Sequence, residues 1–126
     1  MMKNILVVDD DPVMLRLIEL QVKRAGARGF YFREGRPAIE QLDTLQPDMA
    51  ILDFHLPGLN GADLYRAIRG HSGLESIPII FVTGVADNDT LEEIAALGSV
   101  EILAKPFSPR RLQMLIQSGD GESAPP

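Results

Sequence analysis

The chain contains no cysteine and no tryptophan, only two histidines, and fewer basic than acidic residues, 12 against 18. Without cysteine there is neither a disulfide framework nor thiol chemistry, which is compatible with a reducing compartment. The deficit of positive charge, −6 net with an isoelectric point near 4.8, argues against a surface built to neutralise phosphate backbones or anionic lipid. Direct nucleic-acid binding and membrane association are therefore not expected. Long apolar runs are missing too. The opening "MMKNILVVDDD" has a basic residue and an apolar stretch, but three acids end it far too early for a signal peptide or a membrane span. A cytoplasmic protein is the expectation. What is present is ordinary globular material: 126 residues, 45% hydrophobic and 24% charged, enough for one compact core.

Short apolar runs alternate with stretches of helical period. "ILVV" (Ile5 to Val8), "MAIL" (Met49 to Leu52), "IIFV" (Ile79 to Val82) and "EILA" (Glu101 to Ala104) are continuous and mostly β-branched, as in strands covered on both faces. "FYF" (Phe30 to Phe32) is a fifth candidate. Between them Ile39/Leu42, Leu64/Ile68, Leu91/Ile94/Ala95 and Leu112/Leu115/Ile116 recur at three or four residues, and Pro12 to Ala25 has a broad apolar face. Helix boundaries are also visible. Asp11-Pro12 reads as an N-cap followed by proline at the first helical position, Asp89 with Glu92 as a capping box, and Gly26, Gly70 and Gly98 as residues near helix ends. The order is β-α repeated five times, which predicts an α/β protein with a parallel sheet and right-handed crossovers. The last stretch, "SGDGESAPP" (Ser118 to Pro126), reads as a disordered tail or linker following one domain over 1–117.

Parallel sheets of this kind bind ligands outside the carboxyl ends of their strands. Those ends carry Asp9 and Asp10, then Asp53, Thr83 and Lys105. Acids at a helix N-terminus interact favourably with its dipole, so "DDDP" alone is accounted for by capping, and Asp11 needs no other role. Capping does not explain why Asp53, ending a buried strand, converges on the same edge. Two like charges ~4 Å apart near a surface repel by about 4 kcal/mol, so the cluster needs compensation. A hard divalent cation supplies it, because Mg²⁺ takes oxygen ligands and typically uses one or two carboxylates with phosphate oxygens and waters.

The ordered motifs "LVVDDDP", "ILDFHLPGLNG", "VTG" and "AKPF" resemble the receiver domain of two-component response regulators, from about Lys3 to Gln117. The resemblance implies a flavodoxin-like, doubly wound, five-stranded parallel sheet in the order 2-1-3-4-5 with five helices. It makes Asp53 the phospho-acceptor, with a histidine kinase or histidine phosphotransfer protein as donor. Asp10 and Asp53 would act directly at Mg²⁺, Asp9 would complete the acidic pocket, and His55 would give its backbone carbonyl to the metal. Thr83 would hydrogen-bond the phosphoryl group and move the following "GVADN" loop, Lys105 would pair with the group, and Lys105-Pro106 would be a cis peptide. His55 and Ala86 would flank the phosphoryl group, and Gly58 and Gly61 would keep side chains out of the way. A receiver is a switch rather than an enzyme, catalysing only its own phosphorylation and dephosphorylation. A downstream target or a C-terminal output domain is implied. Kinase specificity would lie on first-helix side chains such as Met14, Leu15 and Ile18. His71, in a loop after the third helix, has no expected role.

Other readings fit less well. A flavodoxin-type cofactor carrier needs a glycine- and hydroxyl-rich loop after the first strand, whereas "DDDP" repels an anion unless metal intervenes. A haloacid-dehalogenase-like phosphatase would have its nucleophile after the first strand and a second acid two residues on. A degenerate receiver serving as a phosphorylation-independent binding module is the remaining alternative, and the intact Asp10, Asp53, Thr83 and Lys105 set disfavours it. Ile102 stands where many receivers carry a switching Tyr or Phe. The fourth helix, "DTLEEIAALG", carries acids and no base, while Arg110 and Arg111 open the fifth.

Overall fold

The structure is a computed structural model, and it describes residues 2–84, 87–98 and 100–118. Five strands, β1 (Asn4–Val8), β2 (Arg28–Phe32), β3 (Met49–Asp53), β4 (Ile79–Thr83) and β5 (Glu101–Ala104), form one parallel sheet in the order β2-β1-β3-β4-β5. Six helices connect and follow them: α1 (Pro12–Arg24), α2 (Gly35–Glu40), α3 (Leu42–Leu45), α4 (Gly61–Arg69), α5 (Asn88–Ala95) and α6 (Pro109–Ser118). The strand order is the expected one.

Strand alternation divides the core in two. Ile5, Val7, Met49, Ile51, Ile80 and Val82 face one side, where Ile18 and Val22 of α1 and Leu112 and Ile116 of α6 cover them. Leu6, Val8, Ala50, Leu52 and Phe81 face the other, beneath Ala38, Leu42, Leu64, Ile68 and Ile94 of the remaining helices. Both faces of the three central strands are thus dry, which is why their sequences are continuously apolar rather than alternating. Asp53 and Thr83 belong to the ends of β3 and β4, one residue beyond the apolar runs.

The helices depart from expectation in number and in one cap. The second expected helix is split at Gln41 (φ −100°, ψ 0°) into α2 and α3. The Ile39/Leu42 repeat therefore straddles a break; Asp43 and Thr44, both weak helix formers, follow it. α1 begins as expected, with the Asp11 side chain accepting the Val13 N–H at 2.9 Å and Pro12 at the first position. Its end is followed by Gly26 in the left-handed region at φ 79°. α5 does not start at an Asp89/Glu92 box. Asp87 is its N-cap, accepting the Thr90 N–H at 2.7 Å, so Asp89 lies inside the first turn, where its charge still suits the helix dipole. At the opposite end of α5 the Tyr65 hydroxyl donates to Leu97 O at 2.8 Å, tying that end to α4. Ser118, expected to open the tail, ends α6; 119–126 lie outside the described residues. No helix among the described residues is long and apolar enough to cross a membrane.

Candidate functional site

The carboxyl edge of the sheet gathers the residues that the sequence analysis singled out. Asp9 and Asp10 follow β1, Asp53 ends β3, Thr83 ends β4 and Lys105 follows β5. One carboxylate oxygen from each of Asp9, Asp10 and Asp53 lies within 4.8 Å of the others. Asp9 and Asp53 are buried, 1% and 6% exposed, while Asp10 is open to solvent. Lys105 reaches in from the far side, its Nζ 3.1 Å from Asp9 Oδ2 and 3.4 Å from Asp53 Oδ2. The peptide bond from Lys105 to Pro106 is cis, as expected.

Hydrogen bonds reach both carboxylate oxygens of Asp53 but one of Asp9. Asp9 Oδ1 accepts the Asp11 N–H at 2.9 Å, and Asp53 Oδ1 accepts the His55 N–H at 3.2 Å. Lys105 donates to Asp53 Oδ2, but its approach to Asp9 Oδ2 has the distance of an ion pair without the angle of a hydrogen bond. Among the described residues no hydrogen bond reaches that buried oxygen. The Lys105 ammonium is its charge partner at 3.1 Å. Burial, then the Asp9 charge, hold the Asp53 carboxyl above its ordinary value against the opposing pull of Lys105 and the His55 N–H. Burial works against the Lys105 ammonium, but the two carboxylates outweigh it and its pKa rises. Among the described residues Lys105 thus pairs with two of the three carboxylates, Asp9 and Asp53.

Gly61 has a tighter role than keeping the entrance clear. A Cβ there would lie 2.6 Å from Phe54 Cα and 2.9 Å from Asp53 O, so α4 starts in direct backbone contact with the end of β3. Gly58 has open space around it but sits at φ 73°, a conformation that favours glycine.

Two residues beside the site were missed in the sequence. The Arg33 guanidinium donates to Asp10 O at 3.2 Å from Nη2 and 3.4 Å from Nε, joining the ends of β1 and β2. Thr90 Oγ1 lies 3.4 Å from His55 Nε2. Neither carries a sequence signal beyond its position near a strand or helix end. Thr83 is fully buried. Within the "GVADN" loop Val85 and Ala86 lie outside the described residues. His71 is drawn elsewhere, its Nε2 3.2 Å from Asp43 Oδ1. On α1 the expectation for Ile18 fails, because it is 1% exposed and packs in the core. The apolar face of α1 is broader than its buried stripe, and the exposed residues are Val13, Leu17 and Leu20.

Over residues 5–117 the chain matches the response regulator receiver domain family, and it belongs to that family. It is 35% identical over 114 residues to the DNA-binding response regulator MtrA of Mycolicibacterium smegmatis, which covers 89% of this chain and 48% of that protein. The chain thus spans about half the length of such relatives. Among solved structures it is similar to the receiver domain of the sensor histidine kinase PA1611 from Pseudomonas aeruginosa PAO1, solved with a magnesium ion coordinated in the active-site cleft. The two share 30% identity and a TM-score of 0.86, with 97% of this chain and 100% of that chain covered. The chemotaxis protein CheY4 of Vibrio cholerae, at low pH, is 26% identical with a TM-score of 0.84, covering 93% of this chain and 98% of that one. The chain is thus a receiver domain of the two-component response regulators.

Proposed function

We propose that this receiver takes a phosphoryl group onto Asp53 from a histidine kinase or histidine phosphotransfer protein, with Mg²⁺ beside it, and changes shape in consequence. The observation that carries the reading is the convergence of Asp9, Asp10 and Asp53, one carboxylate oxygen of each within 4.8 Å of the others, with Lys105 paired to Asp9 and Asp53. An all-oxygen donor set of this kind suits a hard divalent cation that retains waters. Asp10 and Asp53 would hold it, together with the backbone carbonyl of His55, and Asp9 would complete the negative pocket. When bound, Mg²⁺ supplies positive charge to the phosphoryl oxygens. That the Pseudomonas relative was solved with magnesium in its cleft supports the same assignment here.

The transfer forms a bond from an Asp53 carboxylate oxygen to phosphorus while the bond from phosphorus to the donor imidazole nitrogen breaks. Lys105, already paired with Asp53, stays with the charge that arrives. Thr83, stiff and buried at the end of β4, donates its hydroxyl to a phosphoryl oxygen and draws the chain between Gly84 and Asn88 with it. This domain is then the switch half of a regulator, and its output lies in a further domain or a separate target. The net charge of −6 argues against the receiver itself docking on nucleic acid.

Incubation with a small acyl phosphate and Mg²⁺ tests this directly. One phosphoryl group per chain is expected, abolished by Asp53→Asn and by chelation. In parallel, Mg²⁺ at tenfold its Kd should stabilise the wild type by about 1.4 kcal/mol, and Asp10→Ala should remove that gain. Undiminished labelling of Asp53→Asn overturns the assignment. A protein that takes no label yet binds partners equally well with and without donor points instead to a phosphorylation-independent module.

A further inference from the structure

The peptide unit between Asp10 and Asp11 is gripped on both edges. The last backbone rung between β1 and β2 runs from the Asp9 N–H to Phe32 O at 3.0 Å, and beyond it a side chain continues the ladder. The Arg33 guanidinium donates to Asp10 O from Nη2 at 3.2 Å and from Nε at 3.4 Å. On the other edge of the same unit the Asp11 N–H donates to Asp9 Oδ1 at 2.9 Å. A trans peptide is rigid, so anchors on its oxygen and its N–H fix the whole plane, and with the rung at Asp9 they fix the direction in which the Asp10 side chain leaves the chain. Asp10 is exposed, and core packing does not hold it there.

We propose that Arg33 is a positioning residue for the divalent-cation site: it clamps the Asp10–Asp11 peptide, so Mg²⁺ affinity depends on a side chain just beyond β2 that cannot itself be a ligand. The inference rests on the Mg²⁺ reading above. With the clamp gone the peptide can turn, carrying the Asp10 carboxylate away from Asp53 and releasing Asp9 Oδ1 from the Asp11 N–H. Both acids must then be ordered again when a cation binds, and that ordering is subtracted from affinity. Groups that orient ligands from behind commonly matter in this way. The sign separates positioning from charge. A guanidinium beside a cation site repels the cation, so an Arg33 that acted only through its charge would weaken binding and its loss would tighten it. A clamp does the reverse.

The test compares the Mg²⁺ Kd of the wild type, Arg33→Lys and Arg33→Met by calorimetric titration. Lysine keeps the charge without the planar fork, and methionine keeps the length without donors or charge. Arg33→Met should bind about tenfold more weakly, the lower end for an outer-shell partner, when measured at roughly 0.5 M monovalent salt, where the lost charge is screened. Arg33→Lys should fall between it and the wild type. The Mg²⁺ concentration that half-saturates labelling by acyl phosphate should rise by the same factor, with labelling at saturating Mg²⁺ unchanged. A second readout needs no metal: the Asp11 amide should exchange its hydrogen faster in Arg33→Met while amides of α4 keep the wild-type rate. A Kd in Arg33→Met equal to or tighter than the wild type overturns the proposal, as does an Asp11 amide indifferent to Arg33. A wild type that binds no Mg²⁺ overturns both this inference and the Mg²⁺ reading, whereas one that binds Mg²⁺ and takes no label strikes the phosphorylation reading alone, and the Kd comparison still decides this one.

Discussion

Asp53 holds its charge against its surroundings. Burial and Asp9 raise its folded-state pKa above the ordinary carboxylate value that it has in the unfolded chain. A raised acid weakens the fold where it is ionised: the penalty is absent below the unfolded value and is fully present once pH has risen through the folded one. Asp53→Asn, neutral and nearly the same shape, should therefore melt higher than wild type in metal-free solution at pH 7. Each kcal/mol relieved corresponds to roughly 3–6 °C for a domain of this size. The difference should shrink to nothing below about pH 4. Thermal unfolding across that range checks it, and a wild type as stable as Asp53→Asn at pH 7 contradicts it. These acids, with Thr83 and Lys105, were legible in the sequence because each terminates an apolar run, and parallel strands bring such ends to one edge. Arg33 and Thr90 were not, because their roles come from contacts between chain segments 23 and 35 residues apart. The inward turn of Ile18 was misread because apolar spacing fixes which face of α1 is apolar, not how much of it the sheet covers.

Among the elements, strands were read more accurately than helices. A β-strand buried on both faces leaves an unbroken apolar run with sharp ends, whereas helix ends depend on single hydrogen bonds. The split between α2 and α3 and the true start of α5 both fall in that category. The α5 cap offers a test with a definite sign. The Asp87 carboxyl is held below its ordinary value, first by the Thr90 N–H it accepts, so its contribution is present above the ordinary carboxylate range and lost as pH falls through the lowered value. Asp87→Ala should destabilise the domain at neutral pH and match the wild type in strong acid. Amide hydrogen exchange along α5 should localise the loss to its first turn, and uniform exchange across all helices would deny the cap its role.

The whole molecule is a sheet separating two apolar layers, with α1 and α6 on one side and the remaining helices on the other. A two-fold dimer through α5, β5 and α6 would need each copy to offer both signs of charge to the other. Here α5 has Asp89 and two glutamates but no base. Arg111 is already engaged within its own chain, 3.0 Å from Glu101. Phosphorylation is therefore expected to leave the domain monomeric with respect to that face, and sedimentation with and without beryllofluoride at Asp53 measures it; a strong induced dimer through α5 contradicts the expectation. The bond from Tyr65 to the Leu97 carbonyl gives α5 a mechanical character. Pinned at that end and capped near the site at the other, it is a lever about 12 Å long with its fulcrum remote from Asp53. A push of about 2 Å at the near end rotates such a rod by roughly 10°. Phosphorylation would then be reported outside as a change of angle rather than as a translation.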